Sequence, residues 1–300
     1  MPRPKTYTLA AMIADYKATS RWRRLADSSV RAYTAAFDAI LPLRLINRKA
    51  LADTSVTAIR PIHAEAIYTH LCDHHALATA NLYISVLRSV FSAAMRLELA
   101  DHNPFTAVML TPAPSRDVAW SPDKIERFII SSDAHGVGSI GTLALMAYDL
   151  CQRPVDCRLM TWSSYRDGLF RFRQQKTGTL IEMDASPALQ ARLAAIQSNR
   201  APDAAIVQYE VTGAPFSERL YRKKAQWIRS LAGLPTDLKI GDLRRTGATE
   251  LGEANCTEDQ IRAVTGHKSR QVVSTYVKTS LRMATAAQTK RRNNNEVLYG

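Results

Sequence analysis

Cysteine is scarce in this 300-residue chain. Cys72, Cys151, Cys157 and Cys256 are scattered, without the spacing of a zinc site or a disulfide framework, so reduced thiols are expected. His70, His74 and His75 surround Cys72, but no second ligand pair follows them, so no metal site is expected there. No apolar run approaches the length that spans a bilayer. A secretory leader is not visible either, because the first sixteen residues carry Asp15 and lack a clean apolar core. No long helix sets a block of Lys and Arg beside an apolar face, which disfavours a membrane surface as partner. Internal repeats are absent, and low complexity is confined to the RRNNN tract at 291–295. These absences predict a soluble, cytoplasmic protein of a reducing compartment.

Acidic residues are the other shortage. Asp and Glu number 27 against 40 Lys and Arg, leaving a formal charge of +13. The excess is spread along the chain, +5 over residues 1–105 and +8 over 106–300. Both halves are thus suited to one long polyanion, of which nucleic acid is the commonest. With 46% apolar and 22% charged residues, the composition is that of a folded chain long enough for two domains.

Residues 1–105 read as helices only: 9–16, 30–40 behind an N-cap at Ser28 or Ser29, 61–74 opened by Pro61, and 79–99 capped by Thr79. In the last, Leu82, Val86, Leu87, Val90 and Phe91 form an apolar stripe expected to be bundle core. Residues 106–120, with Pro112 and Pro114, are the expected linker. From 121 the pattern changes. Helices at 122–131 and 140–150 precede two alternating segments, 169–174 and 179–183, joined across Gly178 as a hairpin. Helices are then expected at 187–198, 218–232, 243–254, 258–265 and 269–277, with a basic tail at 281–300. The fold class is mainly α with a small antiparallel β-sheet.

Four segments of the second half suit phosphate chemistry. CQRPVD puts Arg153 at a helix terminus, where backbone N–H groups also favour an anion. QQKTG puts Lys176 at the hairpin tip. GDLRRT is expected to start a helix at Asp242, with Arg244 in its first turn, against the macrodipole and so in the service of an anionic ligand. Thr257 and Gln260 make a capping box and Gly266 a helix stop; His267 follows in the turn, and Ser269 caps a helix bearing Tyr276. Singly, each is ordinary: a surface arginine is usually a solvated charge, and Tyr276 is one of eleven tyrosines.

In order and context the four segments resemble the tyrosine recombinase (phage integrase) family. Arg153 in CQRPVD, Lys176 in QQKTG, Arg244 in GDLRRTGAT, His267 in VTGHKS and Tyr276 in VVSTYV match that family's arginine, hairpin lysine, second arginine, Gly-His turn and tyrosine. The resemblance covers residues 7–280. It implies an N-terminal helical, SAM-like core-binding domain (1–105), a linker (106–120), an α+β catalytic domain (121–280) and a C-terminal tail (281–300). One position departs: Gly241 stands where the family usually opens its His-x-x-Arg box with histidine.

The resemblance implies a site-specific recombinase in which Tyr276 attacks phosphorus to give a 3′-phosphotyrosyl link and a free 5′-hydroxyl. Arg153 and Arg244 would clamp the non-bridging oxygens, Lys176 would protonate the leaving oxygen, and His267 would hydrogen-bond the phosphate. No cofactor is implied, neither ATP nor metal, since the covalent link conserves the bond energy. Asp156, Glu182 and Asp184 do not form the acidic set of a two-metal nuclease. Implied partners are double-stranded DNA sites, three further copies in a DNA-bound tetramer joined through the tail, and accessory bending or directionality factors. Candidate DNA contacts in the first domain are Arg21, Arg23, Arg24, Arg88 and Arg96. Gly241 also leaves open an alternative, a recombinase-like DNA-binding regulator with weakened or lost cleavage.

Overall fold

The computed structural model describes residues 7–46, 48–114, 116, 118–197 and 201–269, with isolated positions 271, 285, 288–289 and 291–293 beyond. The chain divides into two units, Met1–Arg116 and Asp117–Gly300, each with its own apolar core.

In the first unit the described elements are helical: α1 (Leu9–Ala18), α2 (Ser20–Arg23), α3 (Asp27–Ile40), α4 (Pro61–His74) and α5 (Leu77–Arg96). The Thr8 hydroxyl accepts from Ala11 N–H to start α1, and Pro61 occupies the first turn of α4. Two helix starts differ from the sequence reading. Helix α3 begins at Asp27 behind Ala26, and α5 begins at Leu77 behind Ala76, neither with a capping side chain. The candidate caps Ser28, Ser29 and Thr79 instead lie inside the first turns.

Helix α5 also corrects the expectation about membrane-length segments. Its 20 residues include a window of mean hydropathy 1.2, apolar enough to cross a bilayer by length and composition. The apolar side is spent inside the unit, where Ala80, Ile84, Leu87, Val90 and Phe91 are fully buried against α1, α3 and α4. Leu82, assigned to the stripe from sequence, faces outward at 44% exposure. Arg88 on the same helix donates to the carbonyls of Phe105 and Val108, and Asn103 donates to Arg88 C=O, so the segment after α5 is pinned back onto it.

The second unit packs α6 (Pro122–Ala134), α7 (Gly138–Asp149), α8 (Pro154–Leu159), α9 (Pro187–Ile196), α10 (Glu218–Leu231), α11 (Ile240–Glu253) and α12 (Glu258–Thr265) with one antiparallel sheet. Its strands are β1 (Tyr165–Arg166), β2 (Leu169–Arg173) and β3 (Leu180–Asp184), in that order, with Phe170 opposite Met183 and Phe172 opposite Ile181. The sequence reading missed β1, a two-residue strand.

Helix α7 is the axis of this core, with Ile140, Leu143, Met146 and Ala147 buried. It packs on α6, α8, α9 and α11. The contact with α11 is close because position 247 is glycine. A β-carbon there would lie 2.6 Å from Tyr148 O and 2.7 Å from Cys151 Sγ. Bringing the end of α7 against α11 sets Cys151, which begins the segment leading to Arg153, near Arg244.

Candidate active site

Arg153 is the residue immediately before α8, with Pro154 in the first helical position. Its guanidinium is partly exposed, 3.7 Å from the Asp156 carboxylate and 3.4 Å from Gln174 Oε1. Asp156, weighed as a metal ligand from sequence, is buried; it accepts from Gln175 N–H at 2.8 Å and so braces the hairpin against α8.

Arg244 differs from its expected setting. Helix α11 starts at Ile240, and Asp242 is its third residue, accepting from Lys239 N–H at 2.9 Å. Arg244 is thus the fifth residue, one turn in, and only 5% exposed. The macrodipole argument for an anion at this arginine therefore lapses, because the first turn is already served by Asp242. What replaces it is burial of a guanidinium held by directed hydrogen bonds, which keep its charge in place. Its Nη2 donates to Thr265 O at 2.8 Å and meets His267 Nε2 at 3.0 Å.

The turn that delivers His267 is built from α12. Thr257 and Gln260 form the capping box at its start, and Gly266 ends it with φ +69°. Glycine is required twice over, because a β-carbon would also lie 2.5 Å from Gln174 Nε2. In the ring that follows, Nδ1 lies 2.7 Å from Thr265 Oγ1, whose hydroxyl donates to Ile261 O. Because Arg244 can only donate, Nε2 accepts and Nδ1 carries the proton. Burial first, then the charges of Arg244 and Arg153, lower the pKa of His267 to about 4. At neutral pH the ring is therefore uncharged, and both arginines act on it.

Lys176 stands exposed in the turn between β2 and β3, where Gly178 (φ +67°) donates to Gln174 O at 2.8 Å. Tyr276 and the expected helix 269–277 lie outside the described residues. Gly241 is exposed on α11, and a β-carbon there would meet nothing within 4 Å. It lines a cleft of about 590 Å³ together with Arg153, Arg222, Arg229 and Lys239. The structure thus joins Arg244 and His267 by direct contact and links Arg153 to them through Gln174 and Thr265 O. It sets Lys176 on the adjoining hairpin and Gly241 on a cleft shared with Arg153.

Two buried glutamines escaped the sequence reading. Gln152 Nε2 donates to Leu150 O and Val264 O, and its Oε1 accepts from Gln174 Nε2 at 2.6 Å. Gln174 Nε2 also donates to Thr265 O at 2.8 Å, and its Oε1 accepts from Thr177 Oγ1 at 2.7 Å. Both lie within quoted motifs, yet a glutamine beside a hairpin tip carries no sign of burial. All four cysteines are free; burial pushes the Cys151 thiol up to about 12, so it is not a thiolate near this site at neutral pH.

Of the five arginines weighed as DNA contacts, Arg21, Arg23, Arg24 and Arg96 are exposed. Arg88 is half-buried and engaged with its two carbonyls.

The sequence profile of the phage integrase family matches residues 122–282, more than half of the chain. The chain belongs to the phage integrase family. Its fold is similar to that of a lambda integrase dimer bound to a COC′ core site, with TM-score 0.74, 20% identity, and 92% of this chain and 97% of that chain covered. A lambda integrase tetramer bound to a Holliday junction is similar at TM-score 0.73 and 19% identity, covering 92% and 79%. The Tn1549 transposon integrase in complex with transposon right end DNA gives TM-score 0.76 and 12% identity, covering 96% and 100%. Comparison with curated proteins finds no significant match. At such identities the structural likeness speaks for the integrase fold, mainly helical with a three-stranded antiparallel sheet.

Proposed function

We propose that this integrase-family chain is a site-specific recombinase that breaks and rejoins DNA through Tyr276. One observation carries the reading: two arginines and a neutral histidine act on one point, Arg244 by contact at 3.0 Å and Arg153 through its field on the same ring. A phosphodiester needs such a place. Its non-bridging oxygens repel a nucleophile, and guanidiniums neutralise them while leaving phosphorus open to attack.

In the proposed reaction the scissile phosphate sits between Arg153 and Arg244. The Tyr276 oxygen attacks phosphorus, its phenolic proton passing to solvent, and the bond to the 5′-oxygen breaks as Lys176 supplies that oxygen with a proton. A 3′-phosphotyrosine and a 5′-hydroxyl result. Rejoining runs the steps backwards with a second 5′-hydroxyl, so the number of phosphate ester bonds is unchanged. No nucleotide hydrolysis is needed for that balance. His267, neutral and holding its proton on Nδ1, offers Nε2 as a lone pair until phosphate arrives. Burial first, and then the two arginines, hold its pKa down; an entering anion offsets the arginine part, which shifts the ring toward taking a proton and donating to a phosphate oxygen.

The first unit is the proposed core-binding domain, with Arg21, Arg23, Arg24 and Arg96 as phosphate contacts that position the duplex. The working assembly is a tetramer on DNA, joined through residues 281–300 and aided by bending or directionality factors, and its place is the DNA of the cytoplasm. A second reading is favoured by Gly241: a DNA-binding regulator that has lost cleavage. Binding selection from a randomised duplex pool defines the half-site, and a nicked suicide duplex built on it separates the two. A covalent adduct absent in Tyr276→Phe supports the recombinase. Tight binding with no adduct supports the regulator.

A further inference from the structure

We infer that Gln174 is a positioning residue for protonation of the leaving oxygen, fastening the Lys176 turn to the arginine–histidine loop. The inference rests on the proposed function and names a group that reaction would depend on.

Gln174 directly follows β2, yet it is 1% exposed while its neighbours Arg173 and Gln175 face solvent. Its amide is used to capacity. The two N–H groups go to Gln152 Oε1 at 2.6 Å and Thr265 O at 2.8 Å. The oxygen accepts the Thr177 hydroxyl at 2.7 Å and faces Arg153 Nη1 at 3.4 Å. Thr265 O can only accept, which fixes which end of the amide is nitrogen. Its backbone is also engaged: Gln174 N–H donates to Thr179 O and Gln174 O accepts from Gly178 N–H, closing the turn around Lys176. One buried side chain therefore joins the residue preceding Arg153, the residue following Lys176 and the residue two before His267. The Thr265 carbonyl is the anchor it shares with Arg244.

Lys176 itself is exposed on a long flexible stem, so its placement depends on the turn beneath it. Thr177 is the link between that turn and the anchored amide. If Gln174 is replaced by an apolar residue of similar size, the turn loses its side-chain tie to the loop and Lys176 is less often at the leaving oxygen. An oxygen leaving group needs that proton. A bridging sulfur does not, since a thiol ionises near pH 8.5 and leaves as thiolate.

The test compares the full chain and its variants on one suicide duplex, made with either oxygen or sulfur at the bridging 5′ position. Gln174→Met is expected to form adduct about 10- to 100-fold more slowly on the oxygen duplex, only part of the roughly 10²–10⁴-fold that general-acid help is worth, because Lys176 is still present. On the sulfur duplex it returns to the wild-type rate, as Lys176→Ala does. Thr177→Val, at a half-exposed position, should show a smaller loss with the same rescue, and it decides the matter if Gln174→Met fails to fold. An unchanged rate on oxygen, or an equal loss on both duplexes, overturns the inference while leaving the recombinase reading intact. A wild-type chain that binds the duplex but forms no adduct on either overturns the proposed function and this inference with it.

Discussion

Arg244 and Gln174 donate to the same carbonyl, that of Thr265, each at 2.8 Å. One helix and one hairpin are thereby fixed to a single backbone atom, two residues from His267. A carbonyl oxygen has two lone pairs, and both are committed. The geometry of the site is thus set by a backbone group whose residue type says nothing of its use.

Arg244→Lys should fold and fail. An ammonium carries the charge but lacks the planar fork, so it cannot reach Thr265 O and a phosphate oxygen together. Adduct formation should fall by about 100-fold or more. Single-turnover rates on the suicide duplex check this, with a thermal melt to show that the variant remains folded.

The pH behaviour follows from His267. Its pKa in the folded chain, about 4, lies below the ordinary value of 6.5, so the folded state binds fewer protons than the unfolded state between those values. Its contribution to stability is fully present above pH 6.5 and is lost as pH falls through about 4. The urea midpoint should drop over that window, and His267→Asn should flatten the drop. In a ¹⁵N-histidine spectrum of the full chain, His267 should remain neutral with the proton on Nδ1 at pH 6. An imidazolium there would contradict the assignment.

Gly241→His should be tolerated and should speed cleavage. Nothing lies within 4 Å of the added β-carbon, and the position shares its cleft with Arg153. Replacing a helical glycine also lowers the entropy of the unfolded chain. Faster adduct formation with unchanged DNA affinity is the expected outcome; an unchanged rate would mean that no proton-handling role is vacant there.

Gly266→Ala should cost stability and activity together. The residue adopts φ +69°, and its β-carbon would press on Gln174 Nε2 at 2.5 Å. Strain of this kind is worth about 1–3 kcal/mol, readable as a lower denaturant midpoint. Gly247→Ala should lose stability by another route, forcing α11 away from Tyr148 O.

What the sequence revealed of this molecule follows the range of each signal. Pro61 and the Thr257–Gln260 box with Gly266 are local devices, and they mark the start of α4 and both ends of α12 in the sequence. The starts of α3, α5 and α11 carry no such device: Ala26, Ala76 and Lys239 precede those helices and none caps with its side chain. Strand β1 exists only because Tyr165 and Arg166 pair with β2. The order of Arg153, Lys176, Arg244 and His267 pointed to the family. The burial of Arg244, however, depends on Thr265, 21 residues away in the chain, and Gln174 depends on the same group. Such tertiary partners leave no periodicity to read.

The central claim is that Tyr276 carries the nucleophilic oxygen, and the most direct measurement is mass spectrometry of the trapped protein–DNA adduct. Trypsin should release residues 271–278, QVVSTYVK, bearing the nucleotide remnant on Tyr276. A remnant on any other residue, or none in a chain that binds the same duplex tightly, would contradict the account.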